Sequence, residues 1–124
     1  MERSKTGKLG EDIAVNYLKS KDYRIIQRNV RQKFDEIDII AIDPNRTLIF
    51  IEVKTTRQYG NAENQINPED NLTESKFSKI RRSAMIFAGK NSAMVKEDRG
   101  WQIDLLAITL LANEDYKINH YENI

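Results

Sequence analysis

The sequence has 124 residues, with 20 lysines and arginines against 19 aspartates and glutamates, one histidine and no cysteine. Its length and its 40% hydrophobic content predict one globular domain over residues 1–124 rather than a disordered or fibrous chain. Without cysteine, disulfide scaffolds, cysteine-ligated metal sites and thiol catalysis are excluded, and the net charge of +1 by itself favours neither nucleic acid nor membrane as a partner.

The first part of the chain predicts a helix followed by a strand. Apolar residues recur at helical spacing over residues 6–21, which predicts an amphipathic helix. Gly7 and Gly10 are poor helix formers in its first turns, and we expect them to let the helix approach a sheet closely. Residues 23–31 carry β-branched and aromatic side chains and predict a strand.

A β-hairpin is predicted next. Residues 36–43 and 47–56 are both dense in isoleucine, valine, leucine and phenylalanine, and Pro44, Asn45 and Arg46 separate them. The residues that follow, 57–72, are mostly polar and predict a long loop.

A second amphipathic helix is predicted after this loop. It begins near Thr73, where Asn71 and Glu74 stand at the spacing of a capping box. Gly89 is the residue expected to end it.

Two further strands, residues 101–111 and an edge strand over residues 116–121, complete an α-β-β-β-α-β-β order. This order predicts an α/β fold with a mixed sheet flanked by helices. The apolar run of residues 105–111 fits either a central strand or a surface that covers the partner in a homodimer. Trp101 is interpreted as a core residue, and His120 has no partner at ligand spacing, so no chemistry is assigned to it.

The apolar runs are all far shorter than the roughly 20 residues that a membrane-spanning helix needs. No apolar segment typical of a secretory signal follows the first residues. We therefore expect a cytoplasmic protein with no membrane partner.

Charge is distributed in blocks along the chain. Residues 1–33 hold nine basic residues against four acidic ones, and residues 75–100 hold seven against two. Residues 34–52 hold five acidic residues against one basic residue. Basic blocks are typical of solvated helix faces, but the acidic block coincides with strands that are apolar on both sides, where no solvated face is expected.

The predicted hairpin decides whether two of these acidic residues meet. With a three-residue loop, Asp43 pairs with Thr47, and Asp38 lies directly opposite Glu52 on the face that would also carry Glu36 and Ile40. A loop of two or four residues would send the two acids to opposite faces. Under the three-residue register their Cβ atoms lie about 4.5–5.5 Å apart, where two carboxylates repel each other unless a cation lies between them.

Paired carboxylates of this kind suit Mg²⁺ or Mn²⁺, which take oxygen ligands. Lys54, two residues after Glu52 and on the same predicted face of the strand, could hold an attacking water or a phosphate. In the alternative interpretation, Glu52 and Lys54 form an ion pair on a half-exposed face and Asp38 caps a turn. The spacing alone leaves both interpretations open.

Three motifs carry a resemblance that runs over most of the chain, from Gly7 through the basic second helix to Asp104. They are Gly7-x-x-Gly10-Glu11-Asp12-x-Ala14-x-x-Tyr17-Leu18, Glu36-Ile37-Asp38-Ile39-Ile40-Ala41 and Phe50-Ile51-Glu52-Val53-Lys54-Thr55-x-Arg57. Together they resemble the YraN-type (UPF0102-like) family of small bacterial proteins. That family is grouped with the PD-(D/E)XK nuclease superfamily, which also contains the archaeal Holliday-junction resolvases.

This resemblance implies a restriction-endonuclease-like fold and the hydrolysis of DNA phosphodiester bonds with Mg²⁺ or Mn²⁺ as cofactor, with branched DNA as a candidate substrate. It assigns the catalytic motif to Asp38, Glu52 and Lys54. It also assigns Glu11 to a helix glutamate that completes the metal site with Asp38 and Glu52.

Five basic residues near the acidic strands or the second helix are candidates for contacts with the DNA backbone: Arg28, Arg31, Lys33, Arg57 and Lys76. Two alternatives to a nuclease remain at this point. One is a nucleic-acid-binding module of the same fold with little or no cleavage activity, and the other is an interaction protein whose acidic pair belongs to a surface network.

Overall fold

The computed structural model describes residues 5–31, 35–58 and 72–124. The chain forms, in order, α1 (Lys5–Ser20), β1 (Arg24–Arg31), β2 (Glu36–Ile42), β3 (Leu48–Arg57), α2 (Glu74–Lys90), β4 (Trp101–Leu110) and β5 (Tyr116–Tyr121). These bounds agree with the predicted helices and strands to within about one residue at each end. Neither described helix is long and apolar enough to cross a membrane.

The strands form one mixed sheet in the order β1-β2-β3-β4-β5. β3 and β4 run parallel, and the other neighbouring strands pair antiparallel. The parallel pair is possible because α2 lies in the connection between β3 and β4. β5 lies at one edge, as predicted. The apolar run that begins at Leu105 belongs to an interior strand, which confirms the first of its two interpretations.

Each helix covers one face of the sheet. α1 packs against a buried cluster that includes Ile51 and Leu106, whereas α2 packs against a second cluster that includes Phe50 and Ile103. Trp101, interpreted as a core residue, is partly buried and packs against this second cluster, with its ring 5.5 Å from that of Phe50. The predicted α/β class is confirmed, and the architecture is consistent with a restriction-endonuclease-like fold.

Gly10 allows α1 to lie close to the sheet. A Cβ atom at this position would overlap the side chain of Thr55 on β3. Because threonine is β-branched and has restricted rotamers, it cannot move aside easily. The predicted packing role of Gly10 is therefore confirmed, and the next residue, Glu11, is 2% exposed.

The N-cap of α2 is Thr73, whose hydroxyl accepts a hydrogen bond from the backbone N–H of Lys76 at 3.2 Å. The start of the helix is therefore confirmed. The predicted capping residue, Asn71, lies outside the described residues, as do residues 59–71 of the predicted loop. Arg57, predicted to begin that loop, is the last residue of β3.

Gly89 does not end α2, which continues to Lys90. Asn91 caps the helix instead. Its backbone N–H and its side-chain amide both donate to the carbonyl of Phe87, at 3.0 and 2.9 Å. The last carbonyls of a helix need hydrogen-bond donors. The asparagine side chain supplies one here, in place of the left-handed glycine that commonly ends a helix.

Candidate functional site

The β2–β3 connection is a three-residue loop. The backbone N–H of Asp43 donates to the carbonyl of Thr47 at 3.0 Å. The Asp43 carboxylate accepts hydrogen bonds from the N–H groups of Asn45 and Thr47, each at 2.9 Å. Arg46 has a left-handed φ of 68°, which is the pattern of a type I turn followed by a left-handed residue. The predicted register is therefore confirmed.

Asp38 and Glu52 meet one step beyond the last paired residues of this hairpin. The ladder places Ile39 opposite Ile51, so the two acids are the next residues outward on their strands. Asp38 Oδ2 accepts a hydrogen bond from the backbone N–H of Val53 at 2.8 Å. The side chains of Asp38 and Glu52 are also hydrogen-bonded to each other. The two predicted acids are thus in direct contact.

The regular alternation of faces breaks at Asp38. A period of two predicts that Ile37 shares a face with Ile39, and this is wrong because Ile37 packs in the cluster beneath α2 while Ile39 packs beneath α1. On β1, Asn29 lies opposite Asp38 and has a left-handed φ of 55°. A left-handed residue inside a strand bends it and increases its local twist. Asp38 can therefore line a cleft on the α1 side.

Glu52 has a strongly perturbed pKa. Burial and the neighbouring charge of Asp38 raise the pKa of Glu52 from 4.5 to about 9. The hydrogen bond that protonated Glu52 donates to Asp38 and the charge of Asp35 also raise this pKa, whereas the charge of Lys54 lowers it. Without a cation, Glu52 therefore holds a proton at neutral pH.

Glu11 and Lys54 line the same cleft as Asp38. The cleft has a volume of about 210 Å³ and is lined by Thr6, Gly7, Glu11, Asp38, Val53, Lys54 and Thr55. Asp38 links this cleft to Glu52 through their hydrogen bond. The fold thus brings Asp38, Glu52, Lys54 and Glu11 into one connected group, which we call the acidic cleft.

The donors of the acidic cleft fit a hard divalent cation. Mg²⁺ is usually held by one or two carboxylates together with water and substrate oxygens, and Asp38 and Glu52 supply such a pair. Glu11 Oε1 accepts a hydrogen bond from Arg28 Nε at 3.0 Å. Within the described residues, Glu11, Asp38 and Glu52 do not form a set whose ligand atoms all lie within 4.8 Å of one another. The geometry is therefore that of a two-carboxylate site with Glu11 beside it.

The candidate DNA-contacting residues are placed differently from one another. Arg28 bridges Glu11 and Asp12 in α1, with a 2.7 Å contact to Asp12 Oδ1, and so positions an acid of the cleft. Arg31 is exposed at the end of β1.

Arg57 is exposed at the end of β3, where its Nε donates to Thr6 Oγ1 at 3.2 Å. It also lines a larger, mainly apolar cavity of about 810 Å³ with Leu9 and Tyr116. Lys76 lies exposed in the first turn of α2, which packs on the opposite face of the sheet from α1. Lys33 lies outside the described residues.

A second polar cluster was not predicted. Asp104 on β4 is fully buried, and its Oδ2 lies 2.7 Å from His120 Nε2 on β5. His120 Nδ1 lies 3.0 Å from the hydroxyl of Tyr17 on α1. Burial, followed by the charges of Glu122 and Asp104, raises the pKa of Tyr17, so this hydroxyl stays protonated.

The interpretation of His120 as a residue without partners is therefore wrong. Its partners are 16 and 103 residues away in the sequence, so no local spacing could show them. Only the register of β5 against β4, which pairs Leu106 with His120, brings these residues together.

Comparisons with known proteins give one consistent family. The model of the uncharacterised protein family UPF0102 matches residues 10–118. A UPF0102 protein of Alkaliphilus oremlandii is 38% identical over 121 residues, which is 96% of each chain. A UPF0102 protein of Sulfurihydrogenibium sp. is 34% identical over 99% of this chain and 96% of its own length. One from Persephonella marina is 36% identical over 92% of this chain and 90% of its own length.

Proposed function

The chain belongs to the UPF0102 family, and we propose that it is an endonuclease that hydrolyses DNA phosphodiester bonds with Mg²⁺ or Mn²⁺ held by Asp38 and Glu52. Branched DNA is the substrate class that the resemblance to resolvases favours. The proposal is supported above all by the direct contact of Asp38 and Glu52 in a cleft that Lys54 also lines.

The contact between two carboxyl groups is hard to explain by stability alone. A charged carboxylate in a partly buried site costs several kcal/mol unless it is paired with an opposite charge or a cation. Here the nearest partner of Glu52 is another acid, and the opposing effect of Lys54 is smaller than those of burial and Asp38. A divalent cation between the two carboxylates would reverse the sign of their interaction.

The residues of the acidic cleft have separate roles in this proposal. Asp38 and Glu52 hold the cation, which supplies stabilisation of the negative charge that develops on the phosphate. Lys54 binds a phosphate oxygen or the attacking water through its ammonium group. Arg28 holds Glu11 in place beside the pair. The first turn of α1, with Thr6 and Gly7, forms one wall of the cleft, where the helix dipole favours an anionic phosphate.

The proposed reaction is the in-line displacement of a sugar oxygen by water. The water oxygen forms a new bond to phosphorus, and the bond between phosphorus and the leaving sugar oxygen breaks. The water gives up one proton and the leaving oxygen takes one, so the products are a phosphate monoester and a free hydroxyl group. No oxidant, reductant or second substrate is needed.

The test is a cleavage assay on linear, flapped and four-way-junction DNA, with Mg²⁺, with Mn²⁺ and with EDTA. We expect metal-dependent cleavage by the wild type and a loss on the order of 10²-fold or more in Lys54→Ala, because the lysine stabilises charge in the transition state. The matched control is Lys117→Ala, which removes an exposed lysine on β5 and should leave cleavage unchanged.

Two outcomes would contradict the proposal. Cleavage by Lys54→Ala at the wild-type rate would show that the activity comes from elsewhere. Salt-dependent binding to all three DNAs without any metal-dependent cleavage would instead indicate a nucleic-acid-binding module.

A further inference from the structure

Asp104, His120 and Glu122 form a second group of potential metal ligands. One ligand atom from each residue lies within 4.8 Å of the other two, and no other group of three among the described residues meets this condition. The group is separate from the acidic cleft. Tyr17, which contacts His120, follows the cleft residue Glu11 by six residues, about 9 Å along α1.

The β4–β5 register assembles this group. Leu106 pairs with His120 and Leu105 with Tyr121 in the antiparallel ladder, so Asp104 and Glu122 are the next residues outward beyond its last pair. Glu122 directly follows β5 and stands two residues after His120, which is the spacing at which residues of an extended chain share a face. The Asp104 side chain is fully buried and that of His120 is 13% exposed, while Glu122 is exposed. The group is therefore open to solvent on the Glu122 side.

Two atoms of the group face each other directly, Asp104 Oδ2 and His120 Nε2, at 2.7 Å. The second polar atom of each side chain, Asp104 Oδ1 and His120 Nδ1, already has hydrogen-bond partners. Asp104 Oδ1 accepts hydrogen bonds from the Gln102 amide and from the Asn123 N–H, each at 2.9 Å, and His120 Nδ1 contacts the Tyr17 hydroxyl. Partners of this kind orient the histidines and carboxylates that bind metals.

We propose that Asp104, His120 and Glu122 bind a divalent transition-metal ion of the zinc class. The ion takes the place of the proton between His120 Nε2 and Asp104 Oδ2, and the Glu122 carboxylate is its third ligand. One imidazole nitrogen with carboxylate oxygens suits Zn²⁺, whereas Mg²⁺ takes oxygen ligands and so favours the acidic cleft.

The geometry allows such an ion with a small movement. Ligand atoms that each lie about 2.0–2.1 Å from zinc stand about 3.3 Å apart in a tetrahedral site. The present 2.7 Å separation therefore has to widen by about 0.6 Å. His120 lies on the edge strand β5, which has a paired neighbour on one side, so β5 can make this adjustment. The bound ion would link β5 to β4 and so stabilise their pairing.

The single histidine of the chain makes this proposal directly testable. Tag-free protein with ¹⁵N-labelled histidine is treated with EDTA, dialysed and titrated with ZnCl₂ while the imidazole ¹H–¹⁵N spectrum is recorded. We expect the Nε2 signal to move to a new position at one equivalent, as this nitrogen becomes the ligand and the ring proton is carried by Nδ1. MgCl₂ in the same titration should leave both imidazole signals unchanged.

Calorimetry with ZnCl₂ on variants locates the ion. Glu122→Gln, an exposed substitution that should leave the fold intact, is expected to weaken zinc binding at least tenfold. The matched control Glu97→Gln removes an exposed carboxylate outside the group and should bind zinc like the wild type, as should the cleft variant Glu52→Gln. At about 100 times the dissociation constant, Zn²⁺ should raise Tm by about 5–10 °C in the wild type and not in His120→Gln.

Unchanged imidazole signals at millimolar Zn²⁺ would overturn the proposal, and this readout needs only the wild-type protein. Equal zinc affinity in Glu122→Gln and the wild type would overturn it as well. Loss of zinc binding in Glu52→Gln alone would place the ion in the acidic cleft and contradict the second site. Because none of these outcomes depends on DNA cleavage, the proposal stands or falls independently of the nuclease function.

Discussion

Replacing Glu52 by glutamine is predicted to remove a pH-dependent loss of stability that the acidic cleft imposes on the metal-free protein. Burial and the charge of Asp38 raise the pKa of Glu52 to about 9, from an ordinary value of 4.5. The folded chain therefore keeps this proton up to about pH 9, whereas the unfolded chain loses it near pH 4.5. Glu52 thus binds its proton more tightly in the folded protein.

The size of the effect follows from this difference. Between pH 4.5 and about 9 the folded state carries up to one proton more than the unfolded state, so the free energy of unfolding falls as the pH rises. The stability that the protonated Glu52 provides is complete below pH 4.5 and is lost as the pH approaches 9. One pH unit corresponds to about 1.4 kcal/mol, so the wild type should lose up to about 3 kcal/mol between pH 6 and pH 8 through this residue.

Urea unfolding in EDTA at pH 6, 7 and 8 measures this loss. Glu52→Gln cannot ionise at this position, so its stability should change much less with pH than that of the wild type, and it should exceed the wild type at pH 8. The control Glu97→Gln, an exposed substitution, should follow the wild type. Mg²⁺ at pH 8 should stabilise the wild type but not Glu52→Gln, because the cation replaces the proton between the carboxylates.

Parallel pH profiles for the wild type and Glu52→Gln would refute this reasoning. Such profiles would mean that Glu52 is already ionised at pH 6 in the folded protein. The contact with Asp38 would then be relieved by some other positive charge, and the need for a cation in the acidic cleft would disappear.

Three further substitutions test the packing and the turns that position the cleft. Gly10→Ala should lower the free energy of unfolding by about 2 kcal/mol or more, because its Cβ would overlap Thr55. Gly89→Ala, which has open space around it in α2, should raise the free energy of unfolding by about 0.5–1 kcal/mol. Similar urea midpoints for the two variants would contradict the close approach of α1 to the sheet. Asp43→Ala should cost about 1–2 kcal/mol in the same assay, because two loop N–H groups lose their acceptor; an unchanged midpoint would show that the loop does not depend on it. Thr73→Ala should cost about 1 kcal/mol and shorten α2 in hydrogen exchange, whereas full protection of the first turn would argue against this N-cap.

The hairpin shows what the sequence could predict about the site. Local chemistry was sufficient because Pro44, Asn45 and Arg46 define the loop length, and counting outward from a three-residue loop puts Asp38 opposite Glu52. This prediction depends only on β2, β3 and the loop between them. The structure confirms it through the Asp43–Thr47 hydrogen bond and the ladder that follows.

The orientation of Asp38 could not be predicted in the same way. Period-two alternation treats a strand as regular, but the position opposite Asp38 on β1 is Asn29, with a left-handed φ of 55°. The register of β1 against β2 cannot be counted from turn residues in the sequence. The irregularity therefore lies on β1, the partner strand, and it cannot be detected from the alternation of residues in β2 alone.

The Asp104–His120 cluster illustrates the same limit for a whole site. β4 and β5 are joined through a connection in which Asn113 and Glu114 both have left-handed φ angles, 60° and 64°, without glycine or proline. The sequence predicts the strands on either side, but because left-handed turns are normally recognised by glycine, nothing in this connection shows which residues pair across it. Without that pairing, the register of β5 against β4 cannot be counted, and His120 cannot be placed beside Asp104. The pairing of Asp38 with Glu52 was predictable and the second cluster was not, because only the first of the two strand connections follows the usual turn chemistry.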